Sequence, residues 1–454
     1  MKFFVPDWDD RVDPGFDFLT DRPTLGRDPY HDDKYAHELM PEQVYDGVLV
    51  SLMALAKGGP KRERIDRYGL RGFLRLPSKY ELLGDCGAWG YLRDAEPAFS
   101  PAEALTLYEK LGVDYGVSVD HLIVTEFERE KQQRYDITLR NAEEFMRLHR
   151  ERGCRFTPIG AVQGWDPDSY IKAALTQIEM GYDYLALGGL ARSNTETVRT
   201  VVEAVTDATP SDIRVHVFGV ARLTLLPSFI ERRIASVDSA APLRQAWLSA
   251  VDNYYTLDRT YAAIRIPVAS EERPKASRSK STKVEKSPDD AGQLLLELDG
   301  GLVGTPNVSL DVLQEAERSA LSALRTYDRG GMKLQPTLDA VMAYDGLLGS
   351  RAYAKDAAVR ERLYRETLRD RPWKTCRCSV CRTIGIEVII FRRNDRNRRR
   401  GFHNLAMVRE RREYLTTSRQ SVRPDESAVV KLVPSVALID ERVRYGYQGE
   451  LDRH

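Results

Sequence analysis

Gly112, Gly153 and Gly181 each stand just past a helical pattern and just before a short apolar run. A glycine in that place takes the left-handed conformation that ends a helix, so the chain is punctuated in register as helix, stop, strand. The helical patterns cover 101 to 111, 137 to 152 and 168 to 180. The runs that follow them are Tyr115 to Val119, Phe156 to Val162 and Tyr184 to Leu187. Val198, Val201, Val202 and Val205 mark one face of a further helix before the run Val215 to Val220, and Ile234 to Val237 is another short run. With Val48 to Ser51 read as a first strand and Tyr80 to Leu83 as the next, six or seven strands alternate with helices between residues 45 and 240. Such alternation implies a parallel sheet, and this many regular repeats imply an α/β fold closed as a (β/α)8 TIM barrel.

Outside that region the pattern changes. Residues 270 to 292 are polar, rich in Ser, Pro and mixed charge, and have no apolar spacing, which is the composition of a flexible insertion. Beyond it, 309 to 326 has helical spacing, and Ile386 to Phe391 reads as a strand that closes the barrel. The expected organisation is therefore the main part of the barrel in 1–268, a linker in 269–293, helical, metal-binding and closing elements in 294–420, and a tail in 421–454 to which no role is assigned. No apolar run approaches the roughly 18 to 20 residues that cross a bilayer, and the N-terminus lacks a signal-peptide core. A cytoplasmic protein without a membrane partner is expected. Net charge is zero, so no global field announces a polyanionic partner.

Local chemistry is more specific. Cys376, Cys378 and Cys381 form C-x-C-x-x-C, and His403 follows 22 residues after the last of them. Three thiolates and an imidazole make a closed tetrahedral set for Zn2+, the kind that holds structure together rather than reacts. Between the third cysteine and the histidine crowd Arg392, Arg393, Arg396, Arg398, Arg399 and Arg400. Lying between metal ligands, they read as a basic loop posed to grip a nucleic-acid backbone.

In a barrel of this kind the active site is built where the strands end. The residues at those ends are Asp85 in Gly84-Asp85-Cys86-Gly87-Ala88-Trp89, Asp120, Gln163-Gly164, Gly188-Gly189-Leu190-Ala191 and Asp238. A lone Asp at a strand end more often caps a helix than reacts. Three carboxylates, an amide and a glycine pair on one mouth are instead suited to a flat polar heterocycle and one bond at a sugar carbon.

These motifs, with the cysteine-histidine set, resemble the guanine transglycosylase superfamily, the base-exchange enzymes related to tRNA-guanine transglycosylase. Asp85 to Trp89 resembles the family's D-S-G-G-[FY], with Cys86 for Ser and Ala88 for Gly. The stretch from Gly385 to Asn404 is most similar to the DpdA branch of 7-deazaguanine DNA-modification systems. The resemblance implies that Asp238 is the nucleophile and Asp85 the general acid and base. It also implies that Asp120, Gln163, Gly188, Gly189, Leu190 and Trp89 hold the base, and that Zn2+ is structural. Tyr115 is a further stacking candidate. The implied reaction exchanges guanine in DNA for a 7-deazaguanine base, 7-cyano-7-deazaguanine (preQ0), because Arg192-Ser193-Asn194 lacks the carboxylate that supports an aminomethyl base. Exchange in tRNA and a non-catalytic zinc-containing nucleic-acid-binding protein are the alternatives. An ATPase partner of the same system and a homodimer are expected as well.

Overall fold

The computed structural model describes residues 1–56, 58–269, 308–348 and 356–421. Except for Ala269 and Ser421, the linker and tail expected at 269–293 and 421–454 lie outside them. Eight parallel strands close a barrel in chain order: β1 (Lys2–Pro6), β2 (Gly47–Ser51), β3 (Glu81–Asp85), β4 (Tyr115–Val117), β5 (Thr157–Val162), β6 (Tyr184–Leu187), β7 (Arg214–Val217) and β8 (Ser236–Asp238). The expected barrel is present, with one shift of frame. The first strand is Lys2–Pro6, not the run at Val48, and it pairs with β8 through Phe4 opposite Asp238 and with β2 through Val5 opposite Val48.

That pairing also corrects the strand expected at Ile386 to Phe391. Once β1 joins β8 the barrel has no free edge, so the C-terminal segment has nothing in it to close. Gly385–Ile389 is a 3-10 turn, and only Ile390–Phe391 is extended, pairing outside the barrel with Ile264–Arg265.

The helices that position the mouth are α1 (Pro101–Leu111), α2 (Lys131–Arg152), α3 (Pro167–Glu179), α4 (Thr195–Ala208), α5 (Leu226–Glu231) and α6 (Ala241–Leu248). Their ends are set by local chemistry. Ser100 caps α1 in a capping box with Glu103, Asp166 caps α3 and Asn194 caps α4 through the backbone N–H groups of Ser169 and Thr197. Gly112 and Gly153 end α1 and α2 in the left-handed region, at φ 64° and 62°. Val198, Val201, Val202 and Val205 are all buried, as the spacing on α4 predicts.

Strand alternation divides the core into two layers. Phe4, Leu49, Leu83, Val117, Ile159, Ala161, Tyr184 and Ala186 fill the barrel interior, while the alternate positions, such as Val5, Val48, Val50 and Leu82, pack against the helices. After the barrel come α7 (Leu310–Asp328), α8 (Leu334–Leu347), α9 (Ala357–Asp370) and the long α10 (Arg393–Ser421). Among the described residues, no helix is long and apolar enough to cross a membrane.

Candidate active site and metal centre

Asp85 is the last residue of β3 and Asp238 the last of β8; Gln163 follows β5 directly, and Asp120 stands three residues past the end of β4. Because the strands are parallel, all four stand at one mouth, where the backbone has stopped pairing and the side chains face the opening. Asp120 is buried and held from both sides. The Cys86 thiol donates to Oδ1 at 3.0 Å and Gln163 Nε2 donates to Oδ2 at 2.6 Å. Tyr91 supports the thiol, its hydroxyl lying 2.9 Å from Cys86 Sγ and donating to the Asp120 carbonyl oxygen at 2.9 Å. Burial raises the pKa of Asp120 despite the two donors.

Asp85 has a different environment. Its Oδ2 accepts the Gly87 N–H at 3.1 Å, and Gly87 is left-handed at φ 82° where any Cβ would strike Ser51 Oγ. Burial, and then the charges of Asp120 and Asp238, push the Asp85 carboxyl up to about 8. A carboxylic acid that keeps its proton at neutral pH is suited to protonate a leaving group.

The sequence gives little warning of what surrounds Asp238. Its Oδ1 accepts the Gly219 N–H at 2.8 Å and meets His216 Nε2 at 3.2 Å. His216 Nδ1 in turn lies 2.6 Å from Ser236 Oγ, which is 2.5 Å from the Tyr184 hydroxyl. These four side chains are buried and form a polar column on β6, β7 and β8, inside a barrel otherwise filled by apolar groups. Burying polar groups there is tolerable because each has a partner. The only signal in the sequence is period two: Tyr184, His216 and Ser236 share the inward phase of their strands.

The glycine pair acts less directly than expected. A Cβ on Gly188 would lie 2.1 Å from Gln163 Nε2, so Gly188 makes room for the glutamine, while Gly189 is left-handed at φ 74°. Tyr170 fixes this turn by donating to the Gly188 carbonyl at 2.7 Å. Leu190 is buried in the core. Trp89 is 43% exposed at the mouth, with the Arg192 guanidinium 4.6 Å from its ring centre. Tyr115 is not in the site: it begins β4, at the far end of the barrel, where its hydroxyl bonds Glu81 and Lys2.

Cys376, Cys378, Cys381 and His403 converge, with all ligand atoms within 4.8 Å of one another. The three sulfurs lie 3.5, 3.4 and 3.3 Å from His403 Nδ1. Bonds of about 2.3 Å to sulfur and 2.0–2.1 Å to nitrogen at tetrahedral angles give a sulfur-nitrogen edge of about 3.5 Å, so the set fits a tetrahedral ion such as zinc. His403 Nε2 lies 2.8 Å from the Tyr255 carbonyl, which assigns its proton to Nε2 and leaves Nδ1 for the metal. Asn404 extends the frame. It accepts from the Tyr255 N–H at 3.0 Å and donates to the carbonyls of Pro242 and Asn253, tying the centre to α6, the helix after Asp238.

The arginines form no basic loop. Arg393, which is exposed, opens α10, and Arg392, Arg396, Arg399 and Arg400 are buried. Arg392 pairs with Asp21 and Glu317, and Arg396 with Asp21 and Glu387. Arg399 pairs with Asp395 and bonds the Asp13 carbonyl, and Arg398 donates to the Arg11 carbonyl at 3.1 Å. Arg400 donates to the carbonyls of Val388, Ile390 and Ala246. Buried donors committed to protein oxygens cannot reach a phosphate, so the helix is an internal lock against the acidic segment after β1.

Comparison with known proteins agrees with this geometry. Residues 92–266 match the family described as Queuine tRNA-ribosyltransferase. A protein of Salmonella montevideo named DNA-guanine transglycosylase is 35% identical over 438 residues, covering 92% of this chain and 98% of its own length. The chain belongs to the guanine transglycosylase family. Its substrates are accordingly a nucleic acid and a guanine-type base, and it is an enzyme of the glycosyltransferase kind. Against the guanine transglycosylase pattern, Cys86 and Ala88 are the departures at the mouth, and Cys86 occupies the bond to Asp120 described above.

Proposed function

We propose that this guanine transglycosylase acts on DNA, exchanging guanine for a 7-deazaguanine base through a covalent aspartyl-glycosyl intermediate. The carrying observation is the pair of carboxylates in unlike surroundings: Asp85 held protonated by burial and its acidic neighbours, and Asp238 oriented by the Gly219 N–H and His216. In this reading Asp238 attacks C1′ from one face, the C1′–N9 bond breaks, and Asp85 gives its proton to the departing guanine. Asp85, now a carboxylate, takes the N9 proton of the incoming base. That nitrogen attacks C1′ and Asp238 leaves, so two inversions give net retention.

Asp120 accepts from N1–H and the exocyclic amine of the base, while the Gln163 amide and the Gly189 N–H donate to O6. Gln163 already touches Asp120, so amide and carboxylate stand side by side as the edge of a guanine requires. Support for DNA comes from the near full-length similarity to the DNA-guanine transglycosylase. Support for preQ0 comes from position 192, where a guanidinium lies over Trp89 and would repel an aminomethyl cation but tolerate a nitrile. The Cys3His set would hold zinc and, through Asn404, keep α6 and the end of β8 in place; it supplies no catalytic step. Duplex opening by an ATPase partner and homodimer assembly belong to the same reading.

The test is incubation of the purified protein with labelled guanine and either duplex DNA or tRNA, together with nucleoside analysis of DNA from cells that carry it. Label in DNA and a 7-deazaguanine nucleoside, both lost in Asp238→Ala, are expected. Label in tRNA alone would move the activity to RNA, and binding that survives Asp238→Ala with no exchange in the wild type would leave a binding protein.

A further inference from the structure

Three of the chain's five tryptophans stand just beyond barrel strands at the catalytic mouth. Trp8 follows β1, Trp89 follows β3 and Trp165 follows β5, which places them on alternate strands around one half of the rim. Each carries a cation over its ring: Arg244 lies 4.8 Å from the Trp8 ring centre, Arg192 4.6 Å from that of Trp89 and Lys131 5.0 Å from that of Trp165. Trp8 is 48% exposed and Trp89 43%, so the core does not account for them. A large ring left in water beside a cation offers a base a stacking face and a phosphate a donor in one place.

We propose that this half of the rim is a track for a nucleic-acid strand, in which Trp8 with Arg244 and Trp165 with Lys131 hold the nucleotides flanking an extruded guanine. The inference rests on the DNA reading above for the identity of the strand. The position of the site requires such a track. A nucleotide whose base reaches Asp120 and Gln163 beyond β4 and β5, and whose C1′ reaches Asp238 on β8, must lay its backbone across the rim between them. Arg244 lies on α6, six residues past Asp238, and Trp8 stands two residues past the end of the neighbouring β1, so the pair sits beside the sugar. Trp165 lies two residues past Gln163 and flanks the base.

The charges permit it. Among the described residues Arg244 has no carboxylate at ion-pair distance, which leaves its donors for a phosphate. Arg192 pairs with Glu126 and Lys131 with Glu128 on the surface, where such pairs exchange at small cost. Asp7 and Asp9 near Trp8 share Lys61, and Asp10 faces Arg398. A guanidinium stacked on an indole, as Arg244 is on Trp8, still presents its in-plane N–H groups to a phosphate.

The test measures binding of a fluorescent DNA with a guanine in an unpaired bubble, and in parallel of tRNA, by wild type, Trp8→Ala, Trp8→Phe and Arg244→Gln. For Trp8→Ala the Kd rises about tenfold or more, with unchanged Tm and with kcat retained at saturating DNA; Trp8→Phe recovers most of the loss. Arg244→Gln lowers the slope of log affinity against log salt by about one. DNA affinities within twofold of wild type for both Trp8→Ala and Arg244→Gln, in a protein that still modifies DNA, would overturn the track and leave the DNA reading standing. If wild type binds only tRNA and the same variants weaken that, the track stands with RNA as its strand and the DNA reading falls.

Discussion

Two charged regions of this molecule look alike in sequence and behave in opposite ways. Around α10, acids and bases are matched inside the protein: Asp21 takes Arg392 and Arg396, and Glu387 takes Arg325 and Arg396. At the barrel mouth three acids are gathered and, among the described residues, His216 is the one basic side chain bonded to their carboxylates, and Asp85 is driven up to about 8. Compensated charge makes structure, and uncompensated charge stores reactivity. The number of charges in a stretch does not say which it will be.

The largest effect that would break this contrast comes from the mouth. Asp85→Asn should lower base exchange by roughly 10²–10⁴-fold, the usual share of acid-base catalysis. In the wild type, single-turnover release of guanine should fall as pH rises through about 8, because the proton that leaves with guanine is then lost. Stability should move the other way. A carboxyl whose folded pKa is raised binds its proton more tightly when folded, so stability is greatest below the unfolded pKa of about 3.9 and falls as pH climbs to about 8. Asp85→Asn should therefore be more stable than wild type at pH 8 by thermal melting, with the two converging near pH 4. A variant that is inactive and also less stable at pH 8 would place Asp85 with the structural charges.

The matching effect on the other region is on folding. Arg396 is fully buried and its partners Asp21 and Glu387 would be stranded by its removal. Arg396→Ala should cost about 3–5 kcal/mol in denaturant unfolding. DNA affinity per folded molecule should not change. Weakened binding at unchanged stability would restore the arginines to the interface that their sequence suggested.

Those arginines show where reading the chain stops. Glycine stops and valine spacing report local backbone geometry, so the barrel, its helices and the strand-end residues Asp85, Asp120, Gln163 and Asp238 are all legible. The metal set is legible because three cysteines and a histidine have few other uses at that spacing. What pairs with Arg396 is decided by Asp21, 375 positions away, and no local pattern carries that. β1 was hidden for a different reason: Lys2-Phe3-Phe4-Val5-Pro6 is too short to show a period, and its strand character depends on β8. His216 and Ser236 are short polar residues in short strands, and they become a column only when neighbouring strands set their register.

That column gives a smaller effect. His216→Phe removes one donor to Asp238 Oδ1 and leaves the Gly219 N–H in place. A hydrogen bond to a charged group contributes about 1.5–3 kcal/mol, so kcat should fall about 10- to 150-fold with KM for DNA little changed. As Asp238 must leave as a carboxylate in the second half-reaction, the trapped glycosyl-enzyme should also persist longer. His216→Gln, which keeps a donor, should recover part of the rate. A purely structural histidine would lower Tm and active fraction without lengthening the life of the adduct.

The smallest effect tests the finest difference between this chain and the family pattern. Cys86 donates to Asp120 Oδ1 at 3.0 Å from a buried position, braced by Tyr91. Cys86→Ser keeps a donor at the same place but shortens its reach and strengthens its bond, since a hydroxyl is the better hydrogen-bond donor. Asp120 would then be held more firmly as a carboxylate, the form that accepts from N1–H and the exocyclic amine. KM for the free base should shift by no more than a few-fold, at unchanged kcat. Cys86→Ala removes the donor and should leave Asp120 more readily protonated, so base binding weakens most as pH falls below neutral, where the accepting carboxylate is lost, and least if Gln163 alone suffices. Equal KM values for all three proteins would mean that the amide at 2.6 Å already sets the carboxylate, and that the thiol belongs with the compensated charges of the core.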